Sequence, residues 1–252
     1  MGTALAGDPG VGLGAAGFGG SEGVRGGEFG VKRILAGLGV AVAVVAGGTG
    51  CAAQQEREVA YGVTEAVRVL VVDGGTGDVE VVGEGSEVRV TEHQSYRGTA
   101  PAAAHEVADG TLTLSYRCPE DGCSVGYQVR VPAGTVVRVK AGTGNVRLTG
   151  LTAEVEASAG TGGITAERLG GREVQLTVGT GDVKAVFAVA PADVRVKAGT
   201  GSVRLTVPKG EEYAVEAAAG TGAVKVQVPV RTSAERRIVV RAATGDVTVS
   251  GG

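Results

Sequence analysis

The chain has 252 residues, of which 43% are hydrophobic, and a formal net charge of −3 at pH 7. It contains no Trp, three Phe and five Tyr, so any core must be built from Val, Ala, Leu and Ile. Such residues suit a narrow pleated interior better than a thick α/β core. Lysines and arginines are scattered among acids and form no basic stripe, so nucleic acid is excluded as an expected partner.

Residues 1–30 are rich in Gly and lack hydrophobic periodicity, which predicts a disordered leader. This leader contains two motif-like strings, G-x-G-x-x-G at Gly12, Gly14 and Gly17 and G-x-S-x-G at Gly19, Ser21 and Gly23. The first needs a preceding strand and a following helix to bind a dinucleotide, and the second needs a strand-turn-helix setting to present a nucleophile. A Gly-rich leader supplies neither, so both strings are interpreted as accidents of composition.

Residues 31–50 have the order of an export signal. Lys32 and Arg33 precede an uncharged run over 34–46, and small residues then lead to Cys51. The apolar run is short for a bilayer span. An ordinary cleaved signal or an uncleaved N-terminal anchor are the alternatives. Because export signals normally begin near the N-terminus, we predict that translation starts near Val31, and a precursor that includes Met1 would contradict this.

The segment that ends at Cys51 resembles a bacterial lipoprotein signal, although Gly48 stands where an aliphatic residue is usual. The resemblance implies that Cys51 is lipidated and becomes the mature N-terminus. The protein would then be exported and held by its lipid at the outer face of the cell membrane. Residues 51–58 are predicted to be a polar tether.

From Val59 onward, apolar and polar residues alternate, which predicts strands. A unit centred on a threonine recurs seven times, in six copies between two glycines, and the last six copies are spaced about twenty residues apart. This spacing predicts one coil per repeat and a single repeat domain over 59–252. The repeat threonines are Thr76, Thr143, Thr161, Thr180, Thr200, Thr221 and Thr244.

Alignment on these threonines shows a structural pattern. The third and fifth residues after each threonine are apolar, as in Val146 and Leu148, whereas the fourth is polar in every copy, as in Arg147. The strand after each turn therefore has one apolar face for the core and one polar face for solvent. Gly follows Thr in every copy and precedes it in all but one, where Ala243 stands, which indicates a corner needing positive φ or close contact between coils.

These features predict an all-β fold, a parallel β-helix-like β-solenoid of about 20-residue coils with G-T-G turns. An antiparallel sandwich with G-T-G hairpins is the alternative, but it would not need the same residue class at the same offset in successive units. The gap between Thr76 and Thr143 could hold about three drifted coils or one long inserted loop. The last unit closes at Val249, so we expect an uncapped terminal coil there, through which a dimer would form.

Cys118 and Cys123 flank a short turn, which predicts a disulfide that clamps a hairpin rather than a metal site, since no further ligand is adjacent. His93 and His105 lie in a polar, loop-rich stretch and are expected to be surface histidines. Nothing in the sequence brings them together with Ser95 or Ser115 as a catalytic triad.

Calcium-binding β-rolls carry acids in their turns, so the residue two after each threonine is a candidate ligand. It is Asp78, Asp182 and Asp246 in three copies, but Asn145, Gly163, Ser202 and Ala223 in the others. Aligned ligands are missing from most coils, and Asx turns explain the acids equally well. We expect no metal, no cofactor and no catalytic residue.

The stretch from Val59 to Val249 resembles a bacterial putative-adhesin family of unknown function, whose members have β-strand repeats and are often lipoproteins. The resemblance rests on the repeated G-T-G-D-V units, and it carries no catalytic residues over. It implies a non-enzymatic interaction or structural role at the cell envelope, with an envelope polymer or a protein as partner. A regulatory lipoprotein in envelope-stress signalling is the alternative. A polysaccharide-active enzyme is less expected, because it would need clustered carboxylates and aromatic sugar platforms.

Overall fold

The computed structural model describes residues 41–45 and 53–252, and these residues form strands and no helix. The all-β prediction is therefore confirmed. The predicted leader, most of the predicted signal and Cys51 lie outside the described residues. The strands are β1 Ala41–Val45, β2 Gln55–Val63, β3 Val69–Thr76, β4 Val79–Gly83, β5 Val88–Tyr96, β6 Ala102–Ala108, β7 Thr111–Arg117, β8 Ser124–Val131, β9 Val136–Thr143, β10 Val146–Thr149, β11 Val155–Thr161, β12 Ile164–Leu169, β13 Glu173–Thr180, β14 Val183–Phe187, β15 Asp193–Thr200, β16 Val203–Val207, β17 Ala214–Thr221, β18 Val224–Gln227, β19 Arg237–Thr244 and β20 Val247–Gly251.

The strands form two sheets. Sheet A has 11 strands in the order β1-β2-β5-β8-β4-β10-β12-β14-β16-β20-β18, and sheet B has 9 strands in the order β17-β19-β15-β13-β11-β9-β3-β7-β6. Each G-T-G turn joins a strand of sheet B to a strand of sheet A, and equivalent strands of successive coils pair in parallel. Thr161, for example, is in register with Thr143 on one side and Thr180 on the other. The predicted solenoid is confirmed, and the antiparallel sandwich is wrong.

The core lies between the two sheets and follows the repeat. The inward positions predicted from the alignment, such as Val146 and Leu148, are fully buried, and the outward Arg147 between them is exposed. Burial of one such Val or Leu side chain contributes roughly 1.5–3 kcal/mol. The periodic rows of branched residues thus supply the hydrophobic stabilisation of every inner coil.

The corner glycine after each threonine meets both predicted requirements. Gly162 has φ +125°, and a Cβ on it would lie 2.0 Å from the carbonyl oxygen of Gly144 in the adjacent coil. Backbone hydrogen bonds between adjacent coils continue at this corner, since the Gly144 amide donates to the carbonyl of Thr161 at 2.9 Å. Any side chain at this position would separate neighbouring coils.

The gap between Thr76 and Thr143 differs from both predicted alternatives. It contains one further coil, made of β7 and β8, which pair in parallel with β3 and β4. The other two strands of the gap, β5 and β6, pair antiparallel to β8 and β7. Asp109 and Gly110 both have positive φ and form the tight turn between β6 and β7, as expected of a type I′ hairpin.

One end of the stack, which we name the capped end, is covered by these antiparallel strands. On sheet B, β6 covers β7, and on sheet A the strands β5, β2 and β1 extend beyond β8. Strand β2 begins at Gln55, inside the predicted tether over 51–58. Strand β1 lies in the predicted signal segment and pairs antiparallel with β2.

The opposite end, which we name the open end, is not formed by the last repeat. Strands β19 and β20 lie between the β15–β16 coil and the β17–β18 coil, so the Thr244 unit is an inner coil. The expectation that the Val249 unit is terminal is therefore wrong, since Val249 is 0% exposed, whereas Val226 of the Thr221 unit is 37% exposed. In sequence order the outermost coil, β17–β18, therefore comes before the coil β19–β20 that lies inside it.

Candidate functional site

A row of cations runs across the outer face of sheet A. It is formed by the fourth residue after each repeat threonine, and paired strands hold its members in register, as for Lys184 beside Arg204. Adjacent strands lie about 4.8 Å apart, so side chains in one row are close neighbours. From the capped to the open end, the row reads Glu80, Arg147, Thr165, Lys184, Arg204, Thr248 and Lys225.

Only one cation of this row is ion-paired within the described part of the chain. The Lys184 Nζ atom lies 2.8 Å from Glu167 Oε1, and this hydrogen bond lowers the pKa of the Glu167 carboxyl. The side chains of Arg147, Arg204 and Lys225 are exposed. Within the described residues, the face therefore presents three cations without an ion pair, Arg147, Arg204 and Lys225, in a row where Glu80 is the strand neighbour of Arg147.

The outer face of sheet B is more nearly balanced. Arg138 lies 3.6 Å from Glu154 and 3.8 Å from Glu156, and Arg195 lies 2.9 Å from Asp193. Glu216 accepts hydrogen bonds from Arg241 and Arg237, and these two partners lower the pKa of its carboxyl. Acids of the same or adjacent coils thus neutralise the arginines of this face, whereas Lys140 and Lys197 form no ion pair within the described residues.

A shallow groove of about 480 Å³ lies on sheet A where the regular coils meet the antiparallel cap. Gly126 has no side chain to fill the space between its neighbours His93 and Asp78. The His93 Nδ1 atom lies 3.4 Å from Glu58 Oε2. The groove opens beside the cation row and is lined by Gly77, Asp78, Val79, Glu80, His93, Ser124, Gly126, Tyr127, Gln128, Asn145 and Arg147.

The turn acids brace neighbouring coils. Asp78 Oδ1 accepts a hydrogen bond from the Asn145 amide at 2.7 Å, and Asp182 Oδ1 accepts one from the Ser202 amide at 2.7 Å. Asp246 Oδ1 accepts in the same way from the next coil. Over residues 41–45 and 53–252, no group of three or more His, Cys, Asp or Glu side chains could hold a metal ion. The acids that suggested calcium thus have backbone partners.

A buried polar cluster, which the sequence did not predict, lies inside the capped end. Glu92 and Gln94 are inward-facing residues of β5, and Gln94 Nε2 donates to Glu92 Oε2 at 2.9 Å. The Tyr61 hydroxyl donates to Glu92 Oε1 at 2.8 Å. Burial, reinforced by Glu92, raises the pKa of the Tyr61 phenol and of the neighbouring Tyr127 phenol. These groups are sealed between the sheets, so we assign them to stabilisation of the cap.

The structure joins Cys118 to Cys123, with their Cα atoms 5.8 Å apart. The bond closes the corner between β7 of sheet B and β8 of sheet A, where other coils have a G-T-G turn. It does not clamp a hairpin, as the sequence had suggested, because β7 and β8 lie in different sheets.

The two histidines lie on strands, so the predicted loop location is wrong. His93 is on β5 of sheet A and His105 is on β6 of sheet B, where its ring stacks on Tyr61 with centroids 4.5 Å apart. Ser95 accepts a hydrogen bond from Gln54, and no serine hydroxyl of the described residues bonds to either histidine. The structure does not assemble the triad considered from the sequence.

Across the described residues, the structure has no helix with the length and apolar character needed to span a membrane.

The model of the Toastrack DUF4097 family matches residues 76–250. Among solved structures, a putative cell adhesion protein from Clostridium sporogenes superposes with a TM-score of 0.50 at 14% identity, covering 78% of this chain and 100% of its own. A putative adhesin from Bacteroides fragilis gives a TM-score of 0.47 at 15% identity, covering 77% and 96%. Curated proteins provide no match. At these identities the solved structures support the fold alone.

Proposed function

The chain belongs to the Toastrack DUF4097 family, and we propose that it is an exported, lipid-anchored, adhesin-like domain that binds an anionic polymer of the cell envelope without catalysing a reaction. One observation carries this proposal, the row on the outer face of sheet A in which Arg147, Arg204 and Lys225 form no ion pair within the described residues.

The geometry of the row suits a linear polyanion. Arg147 and Lys225 are separated by five strand spacings, which is about 24 Å at 4.8 Å per spacing. A chain with repeated phosphate or carboxylate groups can contact several cations of the row at once. Solvated cations on a flat sheet attract such a chain by long-range electrostatics, which salt screens. Binding should therefore weaken as ionic strength rises.

Cys51 would provide the proposed anchor. Lipidation there would leave only three residues before β2 begins at Gln55. Strand β2 belongs to the capped end, so this end would face the membrane and the stack would project outward. Processing before Cys51 would also remove β1 and leave β2 as the edge of sheet A.

Intact-mass analysis of the protein extracted from its native membrane fraction tests the anchor. We expect a species that begins at a diacylglyceryl-modified Cys51, and the Cys51→Ser variant should remain unmodified and be lost from the membrane fraction. An unmodified wild-type chain that retains residues 1–50 would overturn the anchor and the export proposal together.

Co-sedimentation of the full chain with isolated cell-wall fragments tests the binding face. A variant with Arg147→Gln and Arg204→Gln should bind about fivefold more weakly, since two charge contacts of roughly 0.5 kcal/mol each are lost. A matched control with Lys140→Gln and Lys197→Gln removes from sheet B two cations that form no ion pair in the described structure, and it should bind as wild type does. Equal weakening in both variants, or none in either, would contradict a specific sheet A face.

A further inference from the structure

The open end carries the apolar pattern of an inner coil without a neighbour to cover it. Val224 and Val226 occupy the rows of Val247 and Val249 in the adjacent coil, which are 0% exposed. At the open end the same positions are 43% and 37% exposed. Repeat stacks normally end in a unit whose outer face is polar. The Thr221 unit instead presents partly exposed valines at its outer side.

Both strands of this unit also have a free backbone edge in the described structure. Strand β17 pairs only with β19, and β18 pairs only with β20. At the base of β17 the edge is closed, because the Tyr213 amide donates to the carbonyl of Pro229 and the Arg231 amide donates to the carbonyl of Tyr213. From Val215 to the end of β18, the two edge strands contain no proline and two charged residues, Glu216 and Lys225. Natural edges that avoid pairing usually carry prolines, bulges or several charges.

We propose that the open end binds the open end of a second copy of this chain in a two-fold symmetric dimer. The tight Thr221 corner makes β17 and β18 run in opposite directions. A partner must therefore present two strand edges with the spacing of the two sheets, and the same end of a second copy does so. A two-fold axis parallel to the strands sets β17 of each copy antiparallel to β18 of the other, which extends both sheets across the interface.

This arrangement is complementary in size. Counting from the corner, Ala217 and Ala219 come opposite Val226 and Val224 of the partner subunit, so small inward side chains meet larger ones. On the outer faces Ala218 comes opposite Lys225 of the partner subunit, so no two like charges lie directly opposite each other. Glu216 already accepts hydrogen bonds from Arg237 and Arg241 of its own chain. The symmetry forms each cross-strand pair twice.

The capped end does not compete for this surface. Its core residues Leu112, Leu114 and Tyr127 are buried beneath β5 and β6, so it has no open apolar row to offer. Head-to-tail stacking would moreover leave one open end exposed and continue into a filament. The symmetric dimer closes both open ends and leaves the two capped ends facing outward. This inference does not depend on the proposed polymer binding.

Sedimentation velocity of the purified full chain over a dilution series tests the proposal. Wild type should change from a monomer to a dimer as concentration rises and should form nothing larger. A variant with Val224→Asp and Val226→Asp should stay monomeric with an unchanged circular dichroism spectrum, and the control Val189→Asp, at a valine that is 57% exposed elsewhere, should dimerise as wild type does. A wild type that stays monomeric at all soluble concentrations, a monomeric control or open-ended assembly would overturn the proposal.

Cysteine cross-linking tests the pairing itself, in full chains that carry Cys51→Ser so that the introduced thiol is free. Mixing the Ala218→Cys chain with the Lys225→Cys chain should give a disulfide-linked dimer under mild oxidation, because directly opposite Cβ atoms lie about 5 Å apart. Neither chain alone should cross-link, since its own thiols would lie on opposite faces of the dimer. Cross-linking of one chain with itself, or no product from the mixture, would contradict the pairing.

Discussion

The two ends of the stack share the same inward rows of the repeat but differ in whether other strands cover those rows. Val129 and Val226 belong to one inward row, at the capped and open ends. Strand β5 covers the first, which is 1% exposed, whereas nothing in the described structure covers the second. The contrast shows that a parallel stack is closed only where its sequence departs from the repeat.

The departures at the capped end are identifiable. A disulfide replaces the G-T-G corner, the chain reverses at Asp109–Gly110, and Glu92 and Gln94 place polar groups inside the fold. The open end keeps the apolar positions of the repeat, so its inward valines stay partly exposed without a neighbouring coil. The fold thus offers a sealed end beside the predicted anchor and an unsealed end for association.

The largest expected contrast comes from one substitution made at both ends of the row. Val129→Asp would place a carboxyl in the covered core and should cost about 4 kcal/mol or more of unfolding free energy, enough to abolish cooperative unfolding. Val226→Asp should change the unfolding free energy by no more than about 0.5 kcal/mol in dilute protein. Urea unfolding followed by circular dichroism measures both. Similar losses at the two positions would refute the distinction between the ends.

Removal of the disulfide should have the next largest effect. The Cys118→Ser, Cys123→Ser double variant frees a short loop, and the loop-closure model gives a loss of about 2 kcal/mol. A reductant should lower the melting temperature of wild type toward that of the variant and leave the variant unchanged. If reductant has no effect on wild type, the cross-link does not stabilise the capped end.

Disrupting the buried polar cluster should cost less unfolding free energy than removing the disulfide. The cluster should also make the stability of the fold depend on alkaline pH. Tyr61→Phe removes a hydrogen bond to Glu92 and should cost about 1–2 kcal/mol, whereas the control Tyr96→Phe should be nearly neutral. Because burial raises the pKa of Tyr61 and Tyr127, the folded state keeps these phenols protonated while the unfolded chain ionises above about pH 10. Stability should therefore fall as pH rises beyond that value, and more steeply in wild type than in Tyr61→Phe. Equal pH dependence in the two proteins would show that Tyr61 is not responsible.

The smallest effect is expected at the open end and in acid. Hydrogen bonds from Arg241 and Arg237 lower the pKa of the Glu216 carboxyl. The stability that the ionised Glu216 contributes to the fold is therefore present above the ordinary carboxyl pKa and is lost as pH falls through the lowered value. Glu216→Gln should slightly lower stability at neutral pH and reduce the loss on acidification. Glu235→Gln is the control, because Glu235 makes no ion pair in the described part of the chain. Titration of thermal unfolding between neutral and acidic pH should separate the two variants.

The sequence predicted what the repeat encodes. The buried rows, the outward positions of the cations and the reason for the corner glycines all follow from alignment on the threonines, as Val146, Arg147 and Gly162 show. It did not predict β5 and β6, because the inward Glu92 and Gln94 interrupt the apolar alternation. The stretch therefore has the polar composition that is typical of a loop. The Ala108–Thr111 stretch, with Asp-Gly at its centre, was the available signal for the hairpin.

Two features could not be read from the repeat. The inserted position of β19 and β20 could not be predicted, because units with the same apolar offsets can stack in either order. The groove beside Asp78 depends on β5 packing against β8, so its lining combines repeat and non-repeat residues that no fixed spacing connects.

Hydrogen–deuterium exchange of the full chain, followed peptide by peptide at two protein concentrations, tests the asymmetry most directly. In dilute protein, the amides of β17 and β18 should exchange faster than those of β7 and β8, because only the latter coil is covered on both sides. At high concentration, β17 and β18 should become protected while β7 and β8 do not change. Equal protection of the two end coils in dilute protein, or faster exchange at β7 and β8, would contradict the account.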